Sequence, residues 1–204
     1  ESIEHIEVVG QSGAVSKALN RQRNALGIVT VASTDELGQF PDSNVSEALQ
    51  RLAGLSVERD QGEGRFVRVR GLAPDYNAVT YNGTSLAAPE AGRRAVALDV
   101  IPSDLLESVE VSKTLTPDMP AGSLGGTIEI KSLSAFDRSH DFYSFTAEAG
   151  HNSLVDKQSP KLSGVATRLF DVGDNSDSLG IAFAASLDHV VYGWVFFGIV
   201  IALV

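Results

Sequence analysis

The chain has 204 residues and a net charge of −10, from 16 basic and 26 acidic residues. Hydrophobic residues make up 43% and charged residues 21%, which excludes a disordered acidic tail and a highly charged coiled coil. The acidic balance argues against nucleic-acid binding, and the absence of cysteine excludes a disulfide scaffold, thiolate metal sites and cysteine nucleophiles.

The first predicted element is a short strand at the N-terminus. Residues 1–10 mix isoleucine and valine with acidic side chains and end in glycine, a composition that favours β-structure. Residues 11–13 are expected to form the loop that closes this strand. Composition by itself indicates an ordinary edge strand here.

A second strand is expected over residues 28–34, followed by a short amphipathic helix. Asn44 can cap the helix, with Glu47 three residues later as in a capping box. Gly54 is a favourable C-terminal stop. The apolar residues between them recur at helical spacing, so the helix is expected to lie on a sheet; they are Val45, Ala48, Leu49 and Leu52.

Four more strands are expected, over residues 65–70, 78–82, 109–111 and 127–131. In the first of these, Arg68 and Arg70 face one side and two valines the other. Asn82-Gly83 is the dipeptide most typical of a tight hairpin turn. Several of the strands therefore have one charged face, which needs water or a polar partner surface.

The segments between these strands predict a loop and a second helix. Residues 84–95 are small and polar, as in a surface loop. Ser103 is expected to cap a helix of one to two turns that contains Leu105 and Leu106. Residues 1–138 thus indicate a small α/β or α+β domain with short strands and short helices.

After residue 141 the pattern changes to alternation with a period of two. It is clear in residues 142–149 and 179–187 and weaker in 162–170, with polar loops between the segments. Tyr143 and Phe145, for example, face away from Ser144. Such segments are the weak signature of a membrane β-barrel, and a soluble antiparallel sheet is the alternative that periodicity leaves open.

The last 15 residues, 190–204, carry no charge and do not alternate. A membrane-spanning helix needs about 20 apolar residues, so this segment is short for one. It is interpreted as a buried helix or as the front of a membrane helix. The run Tyr192–Gly198 also faintly resembles a membrane helix of the exosortase family.

Four stretches together resemble the plug domain of TonB-dependent outer-membrane receptors, in the order and spacing of that family. They are Asn44–Val57 (NVSEALQRLAGLSV), Phe66–Leu72 (FVRVRGL), Val79–Gly83 (VTYNG), and Ile101–Lys113 (IPSDLLESVEVSK) followed by Pro120–Lys131 (PAGSLGGTIEIK). Gly71–Asn77 and Arg93-Arg94-Ala95 further resemble the branch that is often linked to carbohydrate uptake.

The resemblance implies an α+β fold, in which a plug with a small mixed sheet and short helices precedes the first antiparallel strands of an incomplete outer-membrane β-barrel. The expected divisions are a TonB-box-like segment at 1–13, a plug at 14–138, barrel strands at 139–187 and an apolar tail at 188–204. At most about three barrel strands of ~9–11 residues fit before the tail. The chain is therefore expected to be a receptor fragment or a product of truncation, frameshift or fusion.

The N-terminal segment resembles a TonB box, which implies that TonB binds it. An exposed β-prone segment can add to the edge of a partner's sheet through main-chain hydrogen bonds. The implied partners are TonB with its energising ExbB and ExbD, a small ligand such as a carbohydrate or a ferric siderophore, and the outer membrane, with the N-terminus in the periplasm. The implied TonB-binding residues are Ile3, Glu4, His5, Ile6, Glu7, Val8, Val9 and Gly10.

The resemblance also suggests roles for two sets of plug residues. The charged strand faces are expected to contact the hydrated barrel wall, with a plain solvated surface as the alternative; these residues are Arg68, Arg70, Glu110, Glu129 and Lys131. The loops at 72–77 and 84–95 are expected at the outward apex of the plug. Their candidate ligand-binding residues are Asp75, Tyr76, Asn77, Arg93 and Arg94.

No motif in the chain indicates catalysis, a cofactor or a metal. The four histidines lack metal-ligand spacing, there is no Gly-x-Ser-x-Gly elbow, and the glycine-rich stretch at 122–126 lacks the lysine of a phosphate-binding loop. We therefore expect no enzyme, cofactor or metal site. Two other classes stay open: a soluble periplasmic binding or interaction module, and a glycosidase that uses two carboxylates.

Overall fold

The structure is a computed structural model of the chain. It describes residues 11–34, 45–60, 63–99, 101, 103, 106–117, 119, 121–137, 141–152, 157–171, 178–188 and 194–203.

Two α-helices and eleven strands are formed by the described residues. The helices are α1 (Gln11–Asn24) and α2 (Val45–Gln50). The strands are β1 (Val29–Ser33), β2 (Leu55–Asp60), β3 (Glu63–Val69), β4 (Asn77–Tyr81), β5 (Thr84–Ser85), β6 (Leu106–Ser112), β7 (Gly126–Ser132), β8 (Phe142–Asn152), β9 (Lys157–Asp171), β10 (Ser178–Asp188) and β11 (Trp194–Leu203). Within the described part of the chain, neither helix has the length and apolar character needed to cross a membrane.

A mixed five-stranded sheet forms the centre of the N-terminal part. Its strand order is β1-β6-β7-β4-β5, with β4 and β7 parallel and the other neighbours antiparallel. The hairpin β2–β3 carries α2 beside this sheet. One sheet face is aliphatic and fully buried against α2 and the hairpin, through Val109, Val111, Ile128 and Ile130 together with Leu49 and Val69. Burying each such side chain contributes about 1.5–3 kcal/mol.

A second sheet follows, with four antiparallel strands in the order β11-β10-β9-β8. One of its faces carries small or polar residues and is buried, as Ser163, Val165 and Thr167 show. It packs on the connecting segment that leaves β7, where Leu133 contacts Val165 and Ala184. The opposite face carries exposed large apolar residues; these are Tyr143, Phe145, Leu162, Phe170 and Phe183.

The predicted fold class is confirmed, and so are the strands expected between residues 28 and 131 and the helix at α2. The hairpin turn has the positive φ angles expected of Asn82 (47°) and Gly83 (77°). Val67 and Val69 are buried while Arg68 and Arg70 are exposed, as alternation predicts. The capping residue Asn44 lies outside the described residues.

The expected loop at residues 11–13 is wrong, because α1 begins at Gln11. The apolar signal for this helix is short, with Val15, Ala18 and Leu19 at helical spacing, and polar residues follow it up to Asn24. Ala18 is the one α1 side chain found buried among those that the structure describes, whereas Val15 and Leu19 are exposed. The predicted boundary at residues 13 and 14 falls inside this helix.

The prediction that the short helix after Ser103 contains Leu106 is wrong. Leu106 is the first residue of β6 and pairs with Ser132 of β7. Leu106 is fully buried, so its apolar character serves the core of a strand. A β-bulge at Glu107 interrupts the alternation that would have revealed this strand start. Leu105 lies outside the described residues.

The interpretation of the apolar tail as a helix is also wrong, including the helix implied for the described part of Tyr192–Gly198. Residues Trp194–Leu203 form β11, which pairs antiparallel with β10 from Asp188↔Trp194 to Leu179↔Leu203. Its sequence is rich in valine, isoleucine and phenylalanine, which favour strands. Pairing also satisfies the backbone groups along the edge of β10. Residues 189–193 and 204 are outside the described part.

Candidate functional site

One end of the five-stranded sheet gathers loops from across the sequence. β4 and β7 both begin there, with Asn77 paired to Gly126, and β6 ends beside the start of β1, with Ser112 paired to Val29. The loops that meet at this end are here called the apex. They comprise residues 25–28, 70–76, 92–95, 113–117 and 121–125.

Asp75 fastens two apex loops together. Its Oδ1 accepts hydrogen bonds from the backbone N–H groups of Arg94 (2.8 Å) and Ala95 (3.1 Å). The Arg93 guanidinium donates to its Oδ2 at 3.3 Å. The Arg94 hydrogen bond and the Arg93 side chain lower the pKa of Asp75, and the same contact with Asp75 raises the pKa of Arg93. Asp75 is therefore a charged structural clasp at neutral pH.

Arg93 also stacks on Phe66 of β3, with its guanidinium carbon 4.7 Å from the ring centre. Arg65 lies over the same ring at 5.1 Å. Acidic residues surround Arg65, at 2.9 Å for Asp60 and 3.1 Å for Glu90. Because Phe66 is buried, this stack fixes the position of the 92–95 loop on the hairpin β2–β3.

The other predicted ligand residues lie close by. Asn77 is buried, and its amide donates to the carbonyl of Val67 at 2.9 Å. The carbonyl of Tyr76 accepts hydrogen bonds from Leu124 (2.8 Å) and Gly125 (3.0 Å), while half of the residue's surface is exposed, at 50%. Arg94 is exposed and donates to the carbonyl of Gly122 at 3.1 Å.

The structure thus brings four of the five predicted ligand residues into the apex and places the fifth, Asn77, at the adjoining start of β4, but their roles differ. Asp75 and Asn77 hold the backbone, whereas Tyr76 and Arg94 present exposed groups to the outside. Sequence reasoning missed the exposed apolar residues around them, because isolated apolar residues in loops follow no period; they are Leu26, Ile28, Leu72, Leu115 and Leu124.

The basic side chains of the apex outnumber its acidic side chains. Arg70 donates to the carbonyl of Gly125 at 2.9 Å, and Lys113 donates to the carbonyl of Ala53. Desolvation lowers the pKa of Lys113, and the nearby charge of Arg70 lowers it further. The apex therefore combines exposed apolar groups with positive charge.

The residues predicted to contact a barrel wall do not form one surface. Glu110 and Glu129 lie directly opposite each other on β6 and β7, and Lys131 reaches Glu110 at 3.5 Å. Arg68 instead pairs with Glu58 on the hairpin β2–β3, and Arg70 belongs to the apex. Three of the five thus share one sheet face.

The contact between the four-stranded sheet and the segment that follows β7 is apolar, and sequence reasoning missed it. A Cβ atom added to Gly180 of β10 would lie 2.7 Å from Cε2 of Phe136 and 3.0 Å from the Cβ of Ala135. Only glycine leaves room for this ring. The available signal was a single glycine inside an otherwise alternating strand, which often marks a close approach.

The predicted TonB-binding residues, Ile3 to Gly10, lie outside the described residues. Within the described part, no group of three or more metal-ligating side chains comes together. The apex and the apolar contact at Gly180 are thus the two features of the described chain that suggest function.

Solved structures with a similar fold include the ferric enterobactin receptor PfeA of Pseudomonas aeruginosa (a mutant), with a TM-score of 0.60 and 15% identity over 84% of this chain and 26% of that one. The ferric citrate transporter FecA aligns with a TM-score of 0.60 and 18% identity over 87% of this chain and 27% of that one. The siderophore receptor PirA of Acinetobacter baumannii aligns with a TM-score of 0.58 and 16% identity over 82% of this chain and 25% of that one. This chain thus spans about a quarter of their lengths.

No curated protein matches the chain in sequence. The family model described as "TonB-dependent Receptor Plug Domain" matches residues 21–127, just over half of the chain. That range begins within α1 and ends in β7, so it contains the hairpin, the apex loops and most of the five-stranded sheet. The chain belongs to the TonB-dependent receptor plug domain family.

Proposed function

We propose that this chain is the plug and the first wall strands of an outer-membrane transporter. The plug closes the pore, the apex binds a ligand on the outer side, and TonB binds Ile3–Gly10 on the periplasmic side to open a path. The observation that carries this proposal is the burial pattern of the four-stranded sheet, which is the reverse of that in the five-stranded sheet. Its face of small residues is buried, and its face of large apolar residues is exposed.

The exposed face of the four-stranded sheet suits contact with lipid. Tyr143 and Phe145 are 66% and 75% exposed, and their neighbours on β9 and β10 are also apolar. Exposing so many large apolar groups to water is unfavourable, whereas the outer face of a membrane barrel requires them. The strands have 10 to 15 residues, against the ~9–11 that span a bilayer.

The two ends of the five-stranded sheet suit opposite sides of the membrane. The chain leaves β7 after Ser132, at the end away from the apex, and enters β8 at Phe142. Strand β8 therefore starts at the end opposite the apex. If that end faces the periplasm, where TonB acts with ExbB and ExbD, then the apex faces the incoming ligand.

The chemistry of the apex favours an anionic ligand with apolar parts over a neutral carbohydrate. Arg94, Arg70 and Lys113 supply positive charge, and Tyr76 and Leu124 supply exposed apolar surface. Ferric siderophore complexes combine these properties, and the similar structures include a ferric enterobactin receptor and a ferric citrate transporter. Carbohydrate uptake, which the Gly71–Asn77 stretch suggested, is the less favoured substrate class.

We further propose that Glu110, Glu129 and Lys131 contact polar groups of the wall. Glu110 and Glu129 are opposed like charges on one sheet face, and Glu129 is already held by the Thr80 hydroxyl (2.8 Å) and the Gly83 N–H (3.0 Å). Opposed like charges are unfavourable unless a cation is near. A basic group on the wall would stabilise this pair together with Lys131.

TonB binding can be tested with a peptide of residues 1–15 and the purified C-terminal domain of TonB. A strand that adds to a sheet edge needs its backbone N–H groups, and proline removes one. The native peptide is therefore expected to retain TonB on a column, and the Ile6→Pro peptide is expected to lose most of that binding. Equal retention by both peptides would remove the TonB-binding role.

The membrane role can be tested by flotation of the full chain with phosphatidylcholine vesicles. We expect the chain to float with the vesicles, and the Phe145→Lys variant to float less, because a lysine in the lipid region costs up to about 2–4 kcal/mol. The matched control is Leu124→Lys, at an apex position that is 71% exposed. A chain that stays monodisperse without detergent or lipid would instead favour the soluble periplasmic module.

A further inference from the structure

Helix α1 has little apolar attachment to the rest of the chain. Among its described side chains, only Ala18 is buried, while Val15 and Leu19 face outward. The strands of the sheet beneath it, in contrast, share a continuous aliphatic core on their other face. Among the α1 side chains that the structure describes, apolar burial therefore contributes little to holding the helix in place.

A polar cluster holds α1 on the sheet. The guanidinium of Arg21 donates to both carboxylate oxygens of Glu107, at 2.8 and 3.0 Å, and also to the hydroxyl of Ser108. Ser108 in turn donates to Glu107 at 2.7 Å. The Glu107 side chain is only 10% exposed, whereas that of Arg21 is 35% exposed, so water reaches the pair from the Arg21 side. Nη2 of Arg21 makes both bonds to Glu107, while Nη1 donates to Ser108, so the two guanidinium nitrogens fix the helix against two neighbouring residues of β6.

The β-bulge in β6 creates the site for this cluster. The register shift between Leu106 and Ser108 leaves Glu107 without a paired residue on β7, and the Glu107 carbonyl accepts the N–H of Thr34 at 3.0 Å. Glu107 is thus fixed from the backbone side by β6 and Thr34. Arg21 is the partner that can move away, because it is carried by a helix with little other attachment.

The sheet surface beside the cluster is polar and tolerates water. Ser33 pairs with Ser108 across β1 and β6 and so lies on the same face. Its buried hydroxyl has no hydrogen-bond partner among the described residues. Water that reaches this face on detachment of α1 would satisfy the Ser33 hydroxyl and hydrate Arg21 and Glu107. Hydrogen bonds to water would therefore take the place of those that detachment breaks.

We propose that Arg21, Glu107 and Ser108 form a releasable latch, which lets α1 detach as a unit while the five-stranded sheet stays folded. The latch is a polar contact that water can replace, whereas the sheet is held by apolar burial that water cannot replace. If the proposed function is correct, a pull on Ile3–Gly10 reaches α1 first and opens the latch. The Phe136 contact at Gly180 meanwhile keeps the other end of the plug on the wall.

The absence of cysteine in the chain allows a direct test by thiol labelling. The full chain is purified in detergent as two single-cysteine variants, Ala18→Cys in α1 and Ala48→Cys in α2. Both alanines are buried, at 8% and 2% exposure, so each thiol reacts only when its helix opens. The assay contains no TonB, so its failure and the failure of the TonB peptide test are distinguishable.

The latch predicts different rates at the two sites. The thiol at position 18 is expected to react at least tenfold faster than that at position 48. Adding Arg21→Ala is expected to speed labelling at position 18 by about 10- to 100-fold, the ratio for loss of a hydrogen bond to a charged group, and to leave position 48 unchanged. Arg23→Ala, which removes an exposed arginine from the same helix, is the matched control and is expected to change neither rate.

Three outcomes would overturn the latch. They are equal labelling rates at both positions, equal acceleration of both positions by Arg21→Ala, and the same effect from Arg23→Ala as from Arg21→Ala. Where Arg21→Ala unfolds the chain, Glu107→Gln serves instead. It keeps a hydrogen-bond acceptor and removes the charge, so a smaller acceleration confined to position 18 is expected.

Discussion

The two sheets of this chain use the same alternation and bury opposite faces. In the five-stranded sheet the aliphatic face is inside, and side chains such as Ile130 are fully buried. In the four-stranded sheet the large apolar face is outside, and small or polar side chains such as Thr167 are buried. A period of two therefore separates two faces of a strand, but it does not say which of them is the interior.

The difference follows from what each sheet packs against. The five-stranded sheet packs on α2 and a hairpin that supply more aliphatic side chains. The four-stranded sheet packs on a short connecting segment, where Gly180 and Ala184 leave room for Phe136 and Leu133. Only small side chains allow that close approach, so the large ones face outward.

The largest expected effect breaks this comparison directly. Ile130→Ala is expected to lower the free energy of unfolding by about 2–5 kcal/mol, because it leaves a cavity in a closely packed core. Phe145→Ala, on the exposed face of β8, is expected to change it by no more than about 0.5 kcal/mol in detergent, because no cavity forms. Urea unfolding followed by circular dichroism measures both changes in the free energy of unfolding. Similar losses for the two variants would show that the two sheets do not bury opposite faces.

A second experiment tests how closely the four-stranded sheet packs on the segment that follows β7. Gly180→Ala places a methyl group against the Phe136 ring and is expected to cost about 1–3 kcal/mol in the same unfolding assay. Gly164→Ala on β9 is the control, because its nearest contact is at 3.9 Å. Phe136→Leu should recover part of the loss in the Gly180→Ala background. Equal costs for the two glycine substitutions would contradict the close packing.

The smallest expected effect concerns the polar clasp at the apex, which has no counterpart in the packing of the two sheets. The pKa of Asp75 is lower in the folded chain than its ordinary value of 3.8, so its carboxylate stabilises the fold at neutral pH. That contribution is lost as the pH falls through the folded pKa.

Asp75→Asn tests this pH dependence. The variant should be less stable than the native chain at pH 7, and the difference should shrink below about pH 4, as the native carboxyl becomes protonated. Unfolding curves at several pH values measure the difference. A difference that persists unchanged down to the lowest pH at which the chain stays folded would show that the charge of Asp75 is not the cause.

Local sequence signals predicted much of the five-stranded sheet because their causes are local. Asn82-Gly83 forms its turn because both residues tolerate positive φ, and Val67 and Val69 are buried because alternation matches the pleat. The residues of the apex were predicted through resemblance, and they do come together. The different roles of Asp75, which holds the backbone, and Tyr76, which is exposed, could be assigned only from the hydrogen bonds and exposure in the folded chain.

Other features depend on partners that are distant in sequence. Helix α1 has a short apolar stripe that is mostly exposed, and its attachment includes the contact of Arg21 with a residue 86 positions away, which no local pattern predicts. The continuous apolar run of β11 was interpreted as a helix although its residue types favour a strand, and the pairing with β10 decides between the two. The bulge at Glu107 likewise hid the start of β6.

The sequence by itself determined where most strands and turns of the plug form, that the two halves follow different patterns, and the family to which the plug residues correspond. These properties depend on backbone preference and on the period of side chains along a single segment. The tertiary structure decided which face of each sheet is buried, where α1 attaches and how Phe136 enters β10. Those outcomes depend on side chains that meet only after the chain has folded, because burial is a property of a surface and its neighbour together.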